Sequence, residues 1–171
     1  MSLGHVSLPT GPSHFKEMRD FYAATLKSIG YKVYMEKEGN FCGLQGYMGG
    51  PDFWLHCGGE DFAAGTATGK RGAGLAHVAF TVGSRKQVDQ WYQSALKAGG
   101  TPNGEPGERD YAKGYYAAYV LDPLGNNIEA VYFNPWWMSV LNGAPKVFNL
   151  FVGVLVGNVV FMYGRKSGWW S

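Results

Sequence analysis

Hydrophobic and polar positions fall into two blocks of the same design. Alternation over residues 3–8 predicts a short strand. Phe15, Met18, Phe21, Tyr22, Thr25, Leu26 and Ile29 then recur at helical spacing, predicting a helix from about Ser13 with Gly30 as its stop. Strands are expected near 31–37, 41–46 and 52–57, the last two joined by Tyr47-Met48-Gly49-Gly50-Pro51. The second block opens with a strand at 75–82. Ser84-Arg85-Lys86-Gln87 reads as a capping box, and Val88, Trp91, Tyr92, Ala95 and Leu96 form the buried stripe of a helix that ends at Gly99-Gly100. A polar stretch runs to about Arg109. Strands near 115–121 and 127–133 follow, separated by the turn Asp122-Pro123-Leu124-Gly125.

The two blocks match residue by residue. Gly4-His5-Val6-Ser7-Leu8 resembles Ala76-His77-Val78-Ala79-Phe80 at an offset of 72. Phe21-Tyr22 matches Trp91-Tyr92 and Leu26-Lys27 matches Leu96-Lys97 at 70, and Leu55-His56 matches Ile128-Glu129 at 73. Anchors at nearly one offset describe one supersecondary unit used twice. Residues 1–134 therefore read as one domain: module one at 1–58, a Gly-rich linker at 59–73 and module two at 74–134. Residues 135–171 have no counterpart in the repeat and form a hydrophobic C-terminal extension.

Composition adds two constraints. Charged residues make up only 16% and aromatics also 16%, with 26 glycines, which suits a turn-rich α+β protein with an aromatic-lined cavity. A net charge of +2 with scattered Arg and Lys excludes a nucleic-acid stripe. Cys42 and Cys57 have no zinc or disulfide spacing and read as free thiols on facing arms of a hairpin. The N-terminus shows no charged region followed by an apolar run, so the cytoplasm is the expected location.

Strand alternation assigns directions to the polar side chains. His77 shares a face with Leu75, Ala79 and Thr81, opposite Val78, Phe80 and Val82. His5 and Ser7 lie opposite Val6 and Leu8. Trp54 and His56 separate from Phe53, Leu55 and Cys57, and Asn127, Glu129 and Val131 from Ile128, Ala130 and Tyr132. His5, His56, His77 and Glu129 thus all occupy the face away from the helices.

A His at the start of a module's first strand, with a ligand on its fourth, resembles the metal pattern of the vicinal oxygen chelate superfamily (glyoxalase, bleomycin resistance, extradiol dioxygenase). His77-Val78-Ala79-Phe80 is similar to its strand. The stretch from Gly114 through Asp122-Pro123-Leu124-Gly125-Asn126-Asn127-Ile128-Glu129 to Val131 is similar to its final hairpin. The resemblance covers roughly residues 3–134. It implies two paired βαβββ modules forming a cup-shaped, barrel-like mixed sheet. It also implies a divalent transition metal at His5, His56, His77 and Glu129.

Imidazole and carboxylate donors suit Zn, Ni, Fe(II), Co or Mn, and such an ion can hold two adjacent oxygens of a substrate. His14, in the first helical turn, reads as an ordinary surface histidine. Glyoxalase I resembles a chain with Glu where His56 stands, and no basic cluster for glutathione is visible among Arg19, Arg85 and Arg109. Glu129 is thus the one carboxylate base. The resemblance implies a metal-dependent lyase or isomerase acting on a small molecule with vicinal oxygens. Two alternatives stay open. His5, His77 and Glu129 alone would make a two-His-one-carboxylate Fe(II) dioxygenase site, and a metal-free cup would sequester a ligand as bleomycin-resistance proteins do. The expected cavity wall draws on Trp54, Tyr47, Met48, Arg109, Tyr111 and Tyr115.

The extension contains Val147 to Tyr163, an apolar run with only Asn149 and Asn158 strongly polar. A tail packed on the modules or on a partner's cup, as in a homodimer, is favoured over a membrane anchor, because both Asn residues are costly in lipid.

Overall fold

The computed structural model describes residues 4–46, 49–58 and 75–134. Met1–Phe133 forms one compact unit. Tyr47, Met48, most of the linker and everything from 135 onward, including the 147–163 run, lie outside the described residues.

Module one runs β1 (Val6–Pro9), α1 (Phe15–Lys27), β2 (Lys32–Lys37), β3 (Phe41–Gln45) and β4 (Phe53–His56). Module two repeats it with β5 (His77–Thr81), α2 (Arg85–Lys97), β6 (Thr101–Glu108), β7 (Tyr115–Leu121) and β8 (Asn127–Phe133). Each module is a four-stranded mixed sheet, ordered β1-β4-β3-β2 in one and β5-β8-β7-β6 in the other. In both, the first strand pairs parallel with the fourth, which brings the strand starts at His5 and His77 beside the fourth strands that carry His56 and Glu129.

Local chemistry explains the boundaries. Ser84 caps α2 by accepting from the Gln87 backbone N–H, while Gln87 Oε1 accepts from the Gly83 N–H at 2.8 Å. Gly99, at φ +102°, ends that helix in the left-handed conformation, and Gly100 N–H returns to the Ala95 carbonyl. The helix stripes are buried as patterned: Phe15, Met18, Phe21, Tyr22, Thr25 and Leu26 in α1, and Val88, Trp91, Tyr92 and Ala95 in α2.

The segment read as a polar connection is strand β6. It pairs with β7 from Thr101↔Leu121 to Glu108↔Tyr116, with irregular register between Pro102 and Gly104 and again between Gly104 and Gly107. Its Pro and Gly residues carry no strand signal. They are tolerated because β6 is an edge strand and the irregularities fall at them.

The sheets are not closed into a barrel. Among the described residues no backbone ladder joins one sheet to the other. Side chains from the helix-facing surfaces hold the modules together instead. Phe80 meets Phe53 at 5.3 Å and Tyr31 at 5.5 Å between ring centroids, and one hydrophobic core contains residues of both modules. Cys42 is buried in that core and Cys57 half-buried, both as free thiols. Burial raises the Cys42 thiol to about 11.

Candidate functional site

Module two gathers its polar residues on the face away from α2. His77 opens β5, and its neighbour Asn127 opens β8, with Glu129 two residues further along the same face. Glu129 is 2% exposed, yet both carboxylate oxygens are engaged: Oε1 accepts from the Tyr115 hydroxyl at 2.7 Å, and Oε2 lies 3.1 Å from His77 Nε2.

The histidine's other nitrogen constrains what this contact is. His77 Nδ1 lies 3.1 Å from the Asn127 carbonyl oxygen, which can only accept, so Nδ1 carries the hydrogen. Nε2 of a neutral ring then points a lone pair at Oε2. Two lone pairs facing each other at this distance require a proton or a cation between or beside them. Orientation of the Nδ1–H by a backbone carbonyl is also the usual support for a metal-binding imidazole. Two ligand atoms each ~2.1 Å from one ion at a right angle stand ~3 Å apart, which is close to the separation seen here. This pair fits two coordination positions of a divalent transition metal.

Three further residues surround the pair. Tyr119 is opposite Glu129 in the β7–β8 ladder, so it shares that face, and its ring centroid is 6.3 Å from that of His77. Burial, then the Glu129 charge, pushes the Tyr119 phenol up to about 12. Burial and the bond to Glu129 likewise hold Tyr115 well above the ordinary range, so it acts as a donor. Tyr111 is 76% exposed, meets Tyr115 edge-on at 5.5 Å and bonds the Tyr119 side chain. Arg109 lies 5.0 Å over the Tyr119 ring, while its Nη2 donates to the Ala117 carbonyl at 3.0 Å and to the Glu105 carbonyl at 2.6 Å. The guanidinium therefore braces the β6–β7 hairpin beside the site, stacked on one of its aromatic residues.

In module one, His5 immediately precedes β1, and His56 ends β4. His56 Nδ1 is held by Ser7 Oγ at 2.8 Å, and the His5 ring lies 6.4 Å from that of Trp54. Trp54 is fixed twice. Its indole N–H donates to the Pro51 carbonyl at 3.1 Å, and its ring rests on Gly43, where a Cβ would come within 2.8 Å of it. The bare backbone of Gly43 is what lets the indole lie flat on β3. His14 sits at the N-terminus of α1 beside Glu17, at 3.4 Å.

Of the four anticipated ligands, His77 and Glu129 meet, whereas His5 and His56 do not: His56 stands opposite Pro9, four residues along β1 from His5, with Trp54 between them. Among the described residues no three His, Cys, Asp or Glu side chains gather into one metal-holding group. The residues of the two modules belong to sheets that share side-chain packing but no ladder, so strand register cannot bring them together. Tyr119 and Ser7 were not anticipated as site residues. Alternation from Tyr115 and from His5 places each on the site face, which is the signal that would have found them.

Two βαβββ modules, each carrying its polar cluster on the face away from the helix, define the vicinal oxygen chelate class. The sequence profile of the Glyoxalase/Bleomycin resistance protein/Dioxygenase superfamily matches residues 2–130, and the chain belongs to that superfamily. A glyoxalase/bleomycin resistance protein from Albidiferax ferrireducens is 25% identical with a TM-score of 0.60, over 75% of this chain and 97% of that one. A glyoxalase-related enzyme from Fulvimarina pelagi is 17% identical with a TM-score of 0.57, over 77% and 88%. Lactoylglutathione lyase from Agrobacterium tumefaciens is 20% identical with a TM-score of 0.54, over 77% and 92%. At these last two identities the likeness is one of fold. No curated protein matches the sequence.

Proposed function

We propose that this protein is a metal-dependent enzyme of the glyoxalase-like group, of lyase or isomerase type, acting on a small organic molecule with adjacent oxygens. The observation that carries this reading is the pair His77 Nε2 and Glu129 Oε2, an imidazole and a carboxylate atom of metal-ligand type brought to 3.1 Å on the face away from α2. His77 and Glu129 would hold the ion, with either His5 or His56 as the donor from module one. A divalent metal there supplies a Lewis acid for oxyanions of the substrate. Glu129, buried and on the site face, would take a proton from substrate and return it to the adjacent position. Trp54, Tyr111 and Tyr115 would offer aromatic surface to the substrate, and Arg109, over the Tyr119 ring, would be the nearby cation.

Metal analysis after incubation with Ni, Zn, Fe(II), Co and Mn tests the reading, with about one ion per chain expected. Protein that takes up none overturns it. Glu129→Gln should then abolish turnover of vicinal-oxygen compounds more completely than it lowers metal content. Turnover that requires air and is restored by Fe(II) alone would assign the Fe(II) dioxygenase chemistry instead.

A second reading is supported by the hydrogen bonds already made. Both Glu129 oxygens and His56 Nδ1 have partners within the protein. A metal-free cup that sequesters an aromatic ligand would need no more than this, and metal-free protein that binds such a ligand would favour it.

A further inference from the structure

We infer that Tyr115 is a positioning residue for Glu129, holding Oε1 so that Oε2 alone is offered beside His77 Nε2. The inference rests on the reading of Glu129 as ligand and base. A tyrosine hydroxyl has one hydrogen, and that of Tyr115 is donated to Oε1 at 2.7 Å. It therefore has no hydrogen left with which to recognise a substrate. The reach is long, because Tyr115 stands opposite Phe133 and Glu129 opposite Tyr119, two same-face positions apart along the ladder. Ala117, a small residue, holds the same-face position between them on β7. Phe133 at 6.1 Å and Tyr111 at 5.5 Å flank the Tyr115 ring. A carboxylate so held cannot swing to present both oxygens to one ion.

Cobalt(II) added to the full chain tests this, because its visible absorption reports how many oxygens surround it. In Tyr115→Phe the protein should still load cobalt, but with bands changed in position and intensity as Glu129 is released to bind through both oxygens. Tyr116→Phe, whose hydroxyl bonds Asp89 on the opposite face, should leave the spectrum as it was. An unchanged spectrum in Tyr115→Phe overturns the inference. Should the wild-type chain take up no cobalt, the metal reading fails separately, and the link is then read without metal. Urea unfolding of Tyr115→Phe, Glu129→Gln and the double variant should be non-additive if Tyr115 acts through Glu129. Additive effects overturn the inference.

Discussion

The Tyr22 hydroxyl donates a 2.7 Å hydrogen bond to Oδ2 of Asp122, joining helix α1 of module one to the hairpin turn of module two. Both residues are buried, at 0% and 3% exposed. Asp122 also accepts from the Leu124 and Asn126 backbone N–H groups and from the Asn126 side chain. The turn that shapes the β7–β8 hairpin is thereby anchored to the other module.

Tyr22→Phe keeps the ring and removes only this donor. A buried carboxylate left short of one partner is expected to destabilise the protein by about 1–3 kcal/mol. The urea midpoint should fall with the slope unchanged, and a midpoint equal to wild type would mean the bond contributes nothing to module docking.

Gly100 marks the other tight point between modules. A Cβ there would come within 2.3 Å of Val120 Cγ1 and 3.0 Å of Phe21 Cε2. Gly100→Ala should destabilise the fold by about 1–3 kcal/mol through overpacking. Thermal unfolding checks it, and a neutral result would show that α1 and β7 yield easily.

Metal occupancy should separate the histidines. If the proposed metal reading holds, His77→Ala lowers occupancy by more than ~10-fold, because on that reading it removes a ligand rather than a support. His14→Ala should leave occupancy unchanged. One of His5→Ala and His56→Ala should also lower it. Occupancy unaffected by those two would confine the metal to module two.

Stability should fall in alkali. The Tyr119 phenol is raised by burial from its ordinary value of 10.0 to about 12, so the folded state favours the protonated form. Its contribution is complete below pH 10 and is lost as pH rises through about 12. Tyr22, Tyr31 and Tyr115 are shifted in the same direction, burial first in each case. Absorbance at the tyrosinate band, followed with circular dichroism, should show part of the ionisation coinciding with unfolding. Full ionisation of the folded chain near pH 10 would contradict the burial of these groups.

Much of the fold was legible in the sequence because helix and strand periodicities are local. The stripes of α1 and α2, the cap at Ser84 and the stop at Gly99 depend on neighbours within a few residues, and the repeat showed that one unit serves twice. Two-residue alternation also placed His77, Glu129 and Trp54 on the face away from the helices. Strand β6 was illegible, since Pro102, Gly104, Pro106 and Gly107 oppose strand formation locally and only pairing with β7 overrides them. The partners of the site residues were hidden for a similar reason. Alternation tells which face a side chain takes, but not which atom it meets. Tyr115 reaches Glu129 on the neighbouring strand, and Arg109 meets the Ala117 carbonyl because the hairpin register puts it there. Those outcomes depend on register across strands, and the joining of the modules through Phe80 and Asp122 depends on packing between sheets. Neither is written in the spacing of residues along the chain.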